Sequence, residues 1–197
     1  MPDLVFLTLA YLLGSIPFGL LLTRAAGIGD IRTMGSGNIG ATNVMRTGNK
    51  KLGIATLLLD ALKGMLPVVI ARHFGAEGDM LYAVAMAAVL GHVFPVWLKF
   101  KGGKGVATAL GALFGLHVGL GITACLLWLV EFKLTKYVSV ASIGCFWLLA
   151  LVPLFMGNGS ALVFCLLLAA LITFTHRSNL ARLKAGNEPR YKSTKTP

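Results

Sequence analysis

Long apolar runs, each close to the thickness of a bilayer, leave this 197-residue chain little room for any other kind of fold. Residues 4–23, 52–74, 80–98, 105–131, 134–156 and 160–175 are dominated by apolar side chains. About 18 such residues in a row suggest a transmembrane helix. With 56% hydrophobic and only 13% charged residues, the chain is too apolar for a soluble domain of average composition. The longest polar stretches, 24–51 and 176–197, are too short to fold alone. The sequence therefore predicts an all-α, polytopic integral membrane helix bundle, with residues 1–197 as a single domain.

The distribution of positive charge sets the expected topology. The net charge of +11 is spread over short loops, where it reads as orientation and as attraction to anionic lipid or substrate, not as nucleic-acid binding. The chain begins Met1-Pro2-Asp3, and its first basic residue, Arg24, follows the first apolar run. That order argues against a cleaved signal peptide and for a first helix that starts outside. If residues 105–131 formed one helix there would be six spans, and the basic tail would lie outside. A break within 115–121 gives two short helices in a hairpin, tolerated when buried in protein. About seven hydrophobic segments then run from an outer N-terminus to a cytoplasmic C-terminus. Sixteen of the eighteen Lys and Arg residues fall on the inner side, leaving Lys63 within the membrane and Arg72 outside.

Three polar stretches carry the candidate chemistry. The first, residues 35–46, holds Gly35, Ser36, Gly37, Asn38, Gly40, Thr42, Asn43 and Arg46, hydrogen-bonding groups suited to a phosphate or a polyol. Its G-x-G-x-x-G spacing is not a dinucleotide fingerprint, because membrane spans flank it instead of a strand and a helix. The second, residues 91–108, contains His92 and the run Lys101-Gly102-Gly103-Lys104-Gly105. Glycines let a ligand approach the backbone, and successive amides in such a turn form an anion site to which lysines add charge. The alternative is a basic turn kept inside by its charge. The third, residues 176–188, begins at the end of the last span with His176, Arg177 and Asn179 and ends at Glu188. A lipid-bound basic tail would explain its charges but not its His, Asn and Glu.

Asp60 and Lys63 lie one helical turn apart, so pairing offsets the cost of each charge and gives them a structural role. Ser139 and Ser142 fit helix packing or a back-bond to the preceding turn. Cys125, Cys145 and Cys165 all lie in apolar runs, as small packing residues do. Few carboxylates argues against a magnesium site, and no Cys/His cluster suggests zinc. The residues thus point to phosphate chemistry without metal or cofactor at one membrane face.

Together the three stretches resemble the motifs of the acyl-phosphate-dependent glycerol-3-phosphate acyltransferases of bacteria, the PlsY family. S-G-N-x-G-x-T-N-x-x-R is met at residues 36–46, G-H-x-F-P-x-x-x-x-F-K-G-G-K-G at 91–105, and H-R-x-N-x-x-R-L-x-x-G-x-E at 176–188. The resemblance implies acyl transfer from acyl phosphate to the 1-hydroxyl of glycerol 3-phosphate, giving lysophosphatidic acid and phosphate. It implies a monomer in the bacterial inner membrane, its site facing the cytoplasm. It implies Ser36, Arg46, Lys104, His176 and Asn179 as catalytic residues. Gly35, Gly37, Asn38, Gly40, Thr42, Asn43, Gly102, Gly103, Ser142 and Arg177 would contact substrate, and Glu188 would be structural. The base stays open between His176 and a substrate phosphate oxygen. A transporter for a phosphorylated solute would use broken helices and the Asp60/Lys63 pair. It would spread polar groups through the membrane depth, whereas these crowd at one face. A non-catalytic scaffold with a lipid-binding tail is the third reading.

Overall fold

The structure, a computed structural model, describes residues 2–191, and its regular elements there are all helical. Met1, Pro197 and the basic residues Lys192 and Lys195 lie outside the described residues. The chain divides into two compact units, Met1–Gly121 and Ile122–Pro197.

In the first unit the opening run is broken, as its Gly, Ser and Pro residues suggest. Helix α1 (Pro2–Gly14) ends before Pro17, and α2 (Phe18–Ala25) starts after it. Proline has no N–H to continue the ladder, so carbonyls at the break need other donors. Lys63 supplies one: its Nζ lies 2.6 Å from the Ile16 carbonyl and 2.8 Å from Asp60 Oδ1. The expected Asp60–Lys63 pair on α4 (Lys50–His73) is therefore present, with both side chains only 3% exposed. Between α2 and α4 lies the short α3 (Ala41–Met45).

Helix α5 (Asp79–Val93) follows, and the glycine loop leads into α6 (Val106–Leu116). The run 105–131 is broken at His117, whose backbone is extended, and α7 (Val118–Thr135) begins one residue later. The last carbonyls of α6 have no intrahelical donors. Arg72, the cation the sequence left on the outer side, donates to the Leu116 carbonyl at 2.7 Å. A cation there also complements the negative end of the helix dipole.

Helices α4 and α6 meet backbone to backbone. A Cβ at Gly111 would overlap the Ala61 carbonyl, and one at Gly64 would overlap the Thr108 carbonyl. Gly111 and Gly115 form a G-x-x-x-G pair, the spacing that lets membrane helices approach this closely. The buried side chains beside it are small or aliphatic, among them Val68, Ala109, Ala112 and Leu113.

In the second unit α8 (Val138–Leu149) packs against α10 (Gly159–Thr175), with the short α9 (Leu151–Phe155) between them in sequence. Ala141, Cys145, Phe146, Leu149, Leu168, Ala169 and Ile172 are buried there. Cys125, Cys145 and Cys165 are free thiols, as expected of packing residues. Asn158 caps α10 by accepting from the Ala161 N–H at 3.0 Å. The chain bends by 60° between α10 and α11 (Arg177–Lys184).

Among the described residues, five stretches are long and apolar enough to cross a membrane: Asp3–Ala25, Lys50–His73, Asp79–Leu98, Val118–Thr135 and Val138–Phe155. The bent α10–α11 pair makes up to six, and α6 is apolar but shorter.

Replacing Gly111 by valine would force α4 and α6 apart. Overpacking a filled site costs about 1–3 kcal/mol, and here the obstacle is backbone, which cannot rotate away. The expected outcome is a lower midpoint of thermal unfolding in detergent and a reduced yield of folded protein.

Candidate active site

The first polar stretch is built around Asn43. Its buried side-chain Oδ1 accepts from the Ser36 N–H at 2.9 Å, and its Nδ2 donates to the carbonyls of Ile31, Met34 and Asn38 at 3.2, 2.9 and 2.9 Å. Both ends of the amide thus hold the loop in shape. Gly35 turns there with φ +56°, and a Cβ would strike the Asn43 oxygen. Asn38 Oδ1 likewise closes a local turn by accepting from the Gly40 N–H at 2.8 Å. Ser36, Thr42 and Arg46 remain exposed on this frame.

Two features hold the frame in place. Leu20, Ile31, Ile39 and Val44 form a buried apolar plug, against which Met34, Leu52 and Leu98 pack. Leu98 belongs to the second polar stretch, so the plug joins the two loops. Asp30 accepts from Arg32 Nε and the Arg32 N–H at 2.9 and 3.0 Å, and from Arg24 at 2.9 Å. The Arg32 side chain foremost, then its N–H and Arg24, hold the Asp30 carboxyl well below the usual carboxylate range.

The glycine loop differs from its expected design. The Gly102 N–H donates to the Val93 carbonyl at 3.1 Å and the Gly103 N–H to the His92 carbonyl at 3.0 Å. Those amides bind the chain's own backbone and do not form an anion cradle. The glycines serve close packing instead: a Cβ at Gly103 would overlap His92 Nε2, and one at Gly102 would overlap the His92 carbonyl and Pro95. Lys99 and Phe100 precede them in the left-handed region, with φ of 52° and 60°. This conformation costs roughly 1–2 kcal/mol per residue and persists only where the surroundings impose it. The loop delivers half-buried Lys104 directly before the N-terminus of α6, where Gly105 caps with φ 87°. The positive end of the helix dipole and an ammonium there favour an anion.

In the second unit His176 occupies the bend between α10 and α11 and is buried. Its Nδ1 lies 2.8 Å from the Ile172 carbonyl. A carbonyl only accepts, so Nδ1 carries a proton. Glu188 gathers three donors: Asn179 Nδ2 at 2.6 Å, Ser139 Oγ at 2.8 Å and Arg182 Nε at 2.8 Å. This fits its expected structural role and gives Ser139 a partner 49 residues away that spacing does not reveal. Tyr191 continues the tail, donating its N–H to the Lys136 carbonyl at 2.9 Å and meeting the Phe132 ring.

Two further expected contacts also make local bonds. The Ser142 hydroxyl donates to the Val138 carbonyl at 2.7 Å and accepts from Trp128 Nε1 at 3.2 Å, a back-bond and a packing contact. Arg177 lies over the Phe174 ring and donates to the Phe174 carbonyl at 3.3 Å. No group of three or more His, Cys, Asp or Glu able to hold a metal occurs among the described residues.

Burial alone would raise the Glu188 carboxyl, but the hydrogen bonds from Asn179, Ser139 and Arg182 outweigh it and hold the group below its ordinary value. A depressed folded value means stabilisation above the unfolded pKa of about 4.3, lost as pH falls through the folded value. Wild-type protein should therefore lose more thermal stability below about pH 4 than Glu188→Gln does. At neutral pH Glu188→Ala should cost ~1–3 kcal/mol, because buried Asn179 and Ser139 donors lose their acceptor.

The glycerol-3-phosphate acyltransferase family model matches residues 4–186. A glycerol-3-phosphate acyltransferase of Mesorhizobium japonicum is 50% identical over 182 residues, 92% of each chain. One of Gluconobacter oxydans is 51% identical over 198 residues, covering 96% of this chain and 94% of that one. Among solved structures, PlsY, an integral membrane glycerol 3-phosphate acyltransferase, matches in its glycerol 3-phosphate form with a TM-score of 0.91 and 42% identity. Its lysophosphatidic acid form matches with a TM-score of 0.89 and 41% identity, and each match covers 98% of this chain and 96% of that one. With the first two polar motifs and all but the last two residues of the third inside the span of the family model, the chain belongs to the PlsY family of glycerol-3-phosphate acyltransferases.

Proposed function

We propose that this chain transfers a fatty acyl group from acyl phosphate to the 1-hydroxyl of glycerol 3-phosphate, releasing lysophosphatidic acid and phosphate. The carrying observation is the near-complete structural likeness to PlsY in forms with the acyl acceptor and with the product. The acceptor oxygen attacks the acyl carbonyl, the bond from that carbon to the phosphate oxygen breaks, and phosphate leaves. Acyl phosphate is already activated, so holding the hydroxyl against the carbonyl supplies much of the rate.

Lys104, at the positive end of α6, carries the acceptor's phosphate, and exposed Ser36 and Arg46 contact substrate phosphate. Thr42 and the turns at Gly35, Gly37, Asn38 and Gly40 present that frame. His176 receives the hydroxyl proton at Nε2, a role supported by the proton its Nδ1 holds against Ile172. Asn179 orients the reacting groups from its place on Glu188. Charge developing on the carbonyl oxygen is stabilised by Lys104 and Arg46. No step needs a metal or a cofactor.

We infer further that the chain acts as a monomer in the bacterial inner membrane, with about seven hydrophobic segments. Its start lies outside, and its C-terminus and reacting groups face the cytoplasm. A particle mass of two chains in detergent would refute the monomer. Cysteine at position 118 should label from outside with an impermeant reagent, and cysteine at 190 only after permeabilisation. The reverse pattern would sink the orientation.

Purified protein in excess chelator, given acyl phosphate and glycerol 3-phosphate, should release phosphate in step with lysophosphatidic acid. A transporter or scaffold would release none. Lys104→Ala should lose activity by roughly 30- to several-thousand-fold, since truncating one member of a desolvated charge pair costs about 2–5 kcal/mol. Lys104→Arg should also be poor, because a planar guanidinium does not replace a compact ammonium between glycines. His176→Ala should fold, keep trace activity and lose the acid limb near pH 6–7 expected of an imidazole base. A limb retained in that variant would move the base to substrate phosphate.

A further inference from the structure

The first unit contains a buried polar group that the acyl-transfer scheme does not use. Asp60 Oδ1 lies 2.8 Å from Lys63 Nζ and 3.7 Å from His92 Nδ1, and the three side chains are 3–4% exposed. Lys63 also donates to the Ile16 carbonyl in the break between α1 and α2, and its ammonium lies 5.6 Å from the centre of the Phe18 ring. From the other side, His92 bears directly on the glycine loop. Its carbonyl accepts the Gly103 N–H, the next carbonyl accepts the Gly102 N–H, and its ring edge occupies the space a Cβ at Gly103 would need. A continuous set of contacts thus runs from the helix break through three polar side chains to the turn that precedes Lys104.

An apolar trio of equal volume would pack at least as well as a buried ion pair. It would not set a carboxylate beside the His92 ring, which lies 3.7 Å from Asp60 Oδ1 with no hydrogen bond between them. The ring's placement matters, because its edge fills the space that a Cβ at Gly103 would need. The turn itself holds Lys99 and Phe100 in the left-handed region, a conformation that lasts only while neighbouring groups impose it.

We propose that Asp60, Lys63 and His92 are positioning residues for the acyl acceptor: through the His92 ring and backbone they hold the Gly102-Gly103 turn so that Lys104 meets the phosphate of glycerol 3-phosphate. This rests on the reading of Lys104 as the acceptor's phosphate ligand. The residues act through Lys104 and touch no substrate themselves. Asp60 and Lys63, which spacing assigns to structure alone, then have a kinetic signature. That signature is confined to one of the two substrates.

Three variants test it: His92→Phe, which keeps a ring against Gly103 but loses the Asp60 contact; Asp60→Asn/Lys63→Met, which leaves neither charge of the pair unpaired; and Lys104→Ala. In the first two, KM for glycerol 3-phosphate should rise on the order of tenfold, with kcat and KM for acyl phosphate changing less than about threefold. Hydrogen exchange at the Gly102 and Gly103 amides should speed up in both. Adding His92→Phe to Lys104→Ala should change KM by less than about twofold, because the residues act along one line. An unchanged KM, a fall in kcat with both KM values unchanged, or effects that multiply in the double variant would each overturn the proposal. So would unfolding of both His92→Phe and the paired variant, which would assign the group to stability alone. If Lys104→Ala leaves KM for glycerol 3-phosphate unchanged, the loop reading fails instead. Amide exchange then decides the positioning claim by itself, and unchanged exchange overturns it.

Discussion

A helix interrupted within an apolar run leaves carbonyls without intrahelical donors, and a buried one left unsatisfied costs about 1–3 kcal/mol. This chain interrupts its apolar runs repeatedly, and at three of the breaks a basic side chain donates to a backbone carbonyl, beside the backbone N–H donors that the Ile16 and Ile172 carbonyls already have. Lys63 donates to Ile16, Arg72 to Leu116 and His176 to Ile172. Each donor is a basic side chain and each acceptor is a backbone carbonyl at or just before the interruption. One opens the chain beside the group that supports the glycine loop, one separates α6 from α7, and one sets His176 at a bend.

Glycine does two different jobs in the first unit. Between α4 and α6 it removes side chains so that backbones meet, which gives the short α6 a rigid seat despite its 11 residues. In the loop before α6 it makes room for the His92 ring. Both uses are about absent volume.

Much of this was legible in the sequence, and the boundary is physical. Hydropathy marked the spans, and the placement of basic residues marked the break near His117, since an unbroken helix would have put the tail on the wrong side. Spacing of three marked the Asp60–Lys63 pair, because helix geometry is local. The third member, His92, lies on another helix, and no local rule joins it to Asp60. The Ser139–Glu188 bond spans 49 residues for the same reason. Asn43 shows a different limit: an amide in a polar loop looks the same in sequence whatever it bonds, and its four contacts to the loop appear only in the structure. The Gly111/Gly115 pair, by contrast, is readable from its spacing alone.

The commitment of the Gly102 and Gly103 amides to backbone carbonyls has a consequence for selectivity. A rigid array of amides recognises an anion by the directions of its oxygens, whereas a single ammonium on a flexible stem recognises charge and size. If Lys104 carries the acceptor's phosphate, the site sorts ligands mainly by charge. Inorganic phosphate, released on every turnover, resembles that headgroup in just this respect. Accumulating product would then compete with the incoming acceptor, and synthesis would slow as free phosphate rises around the membrane face.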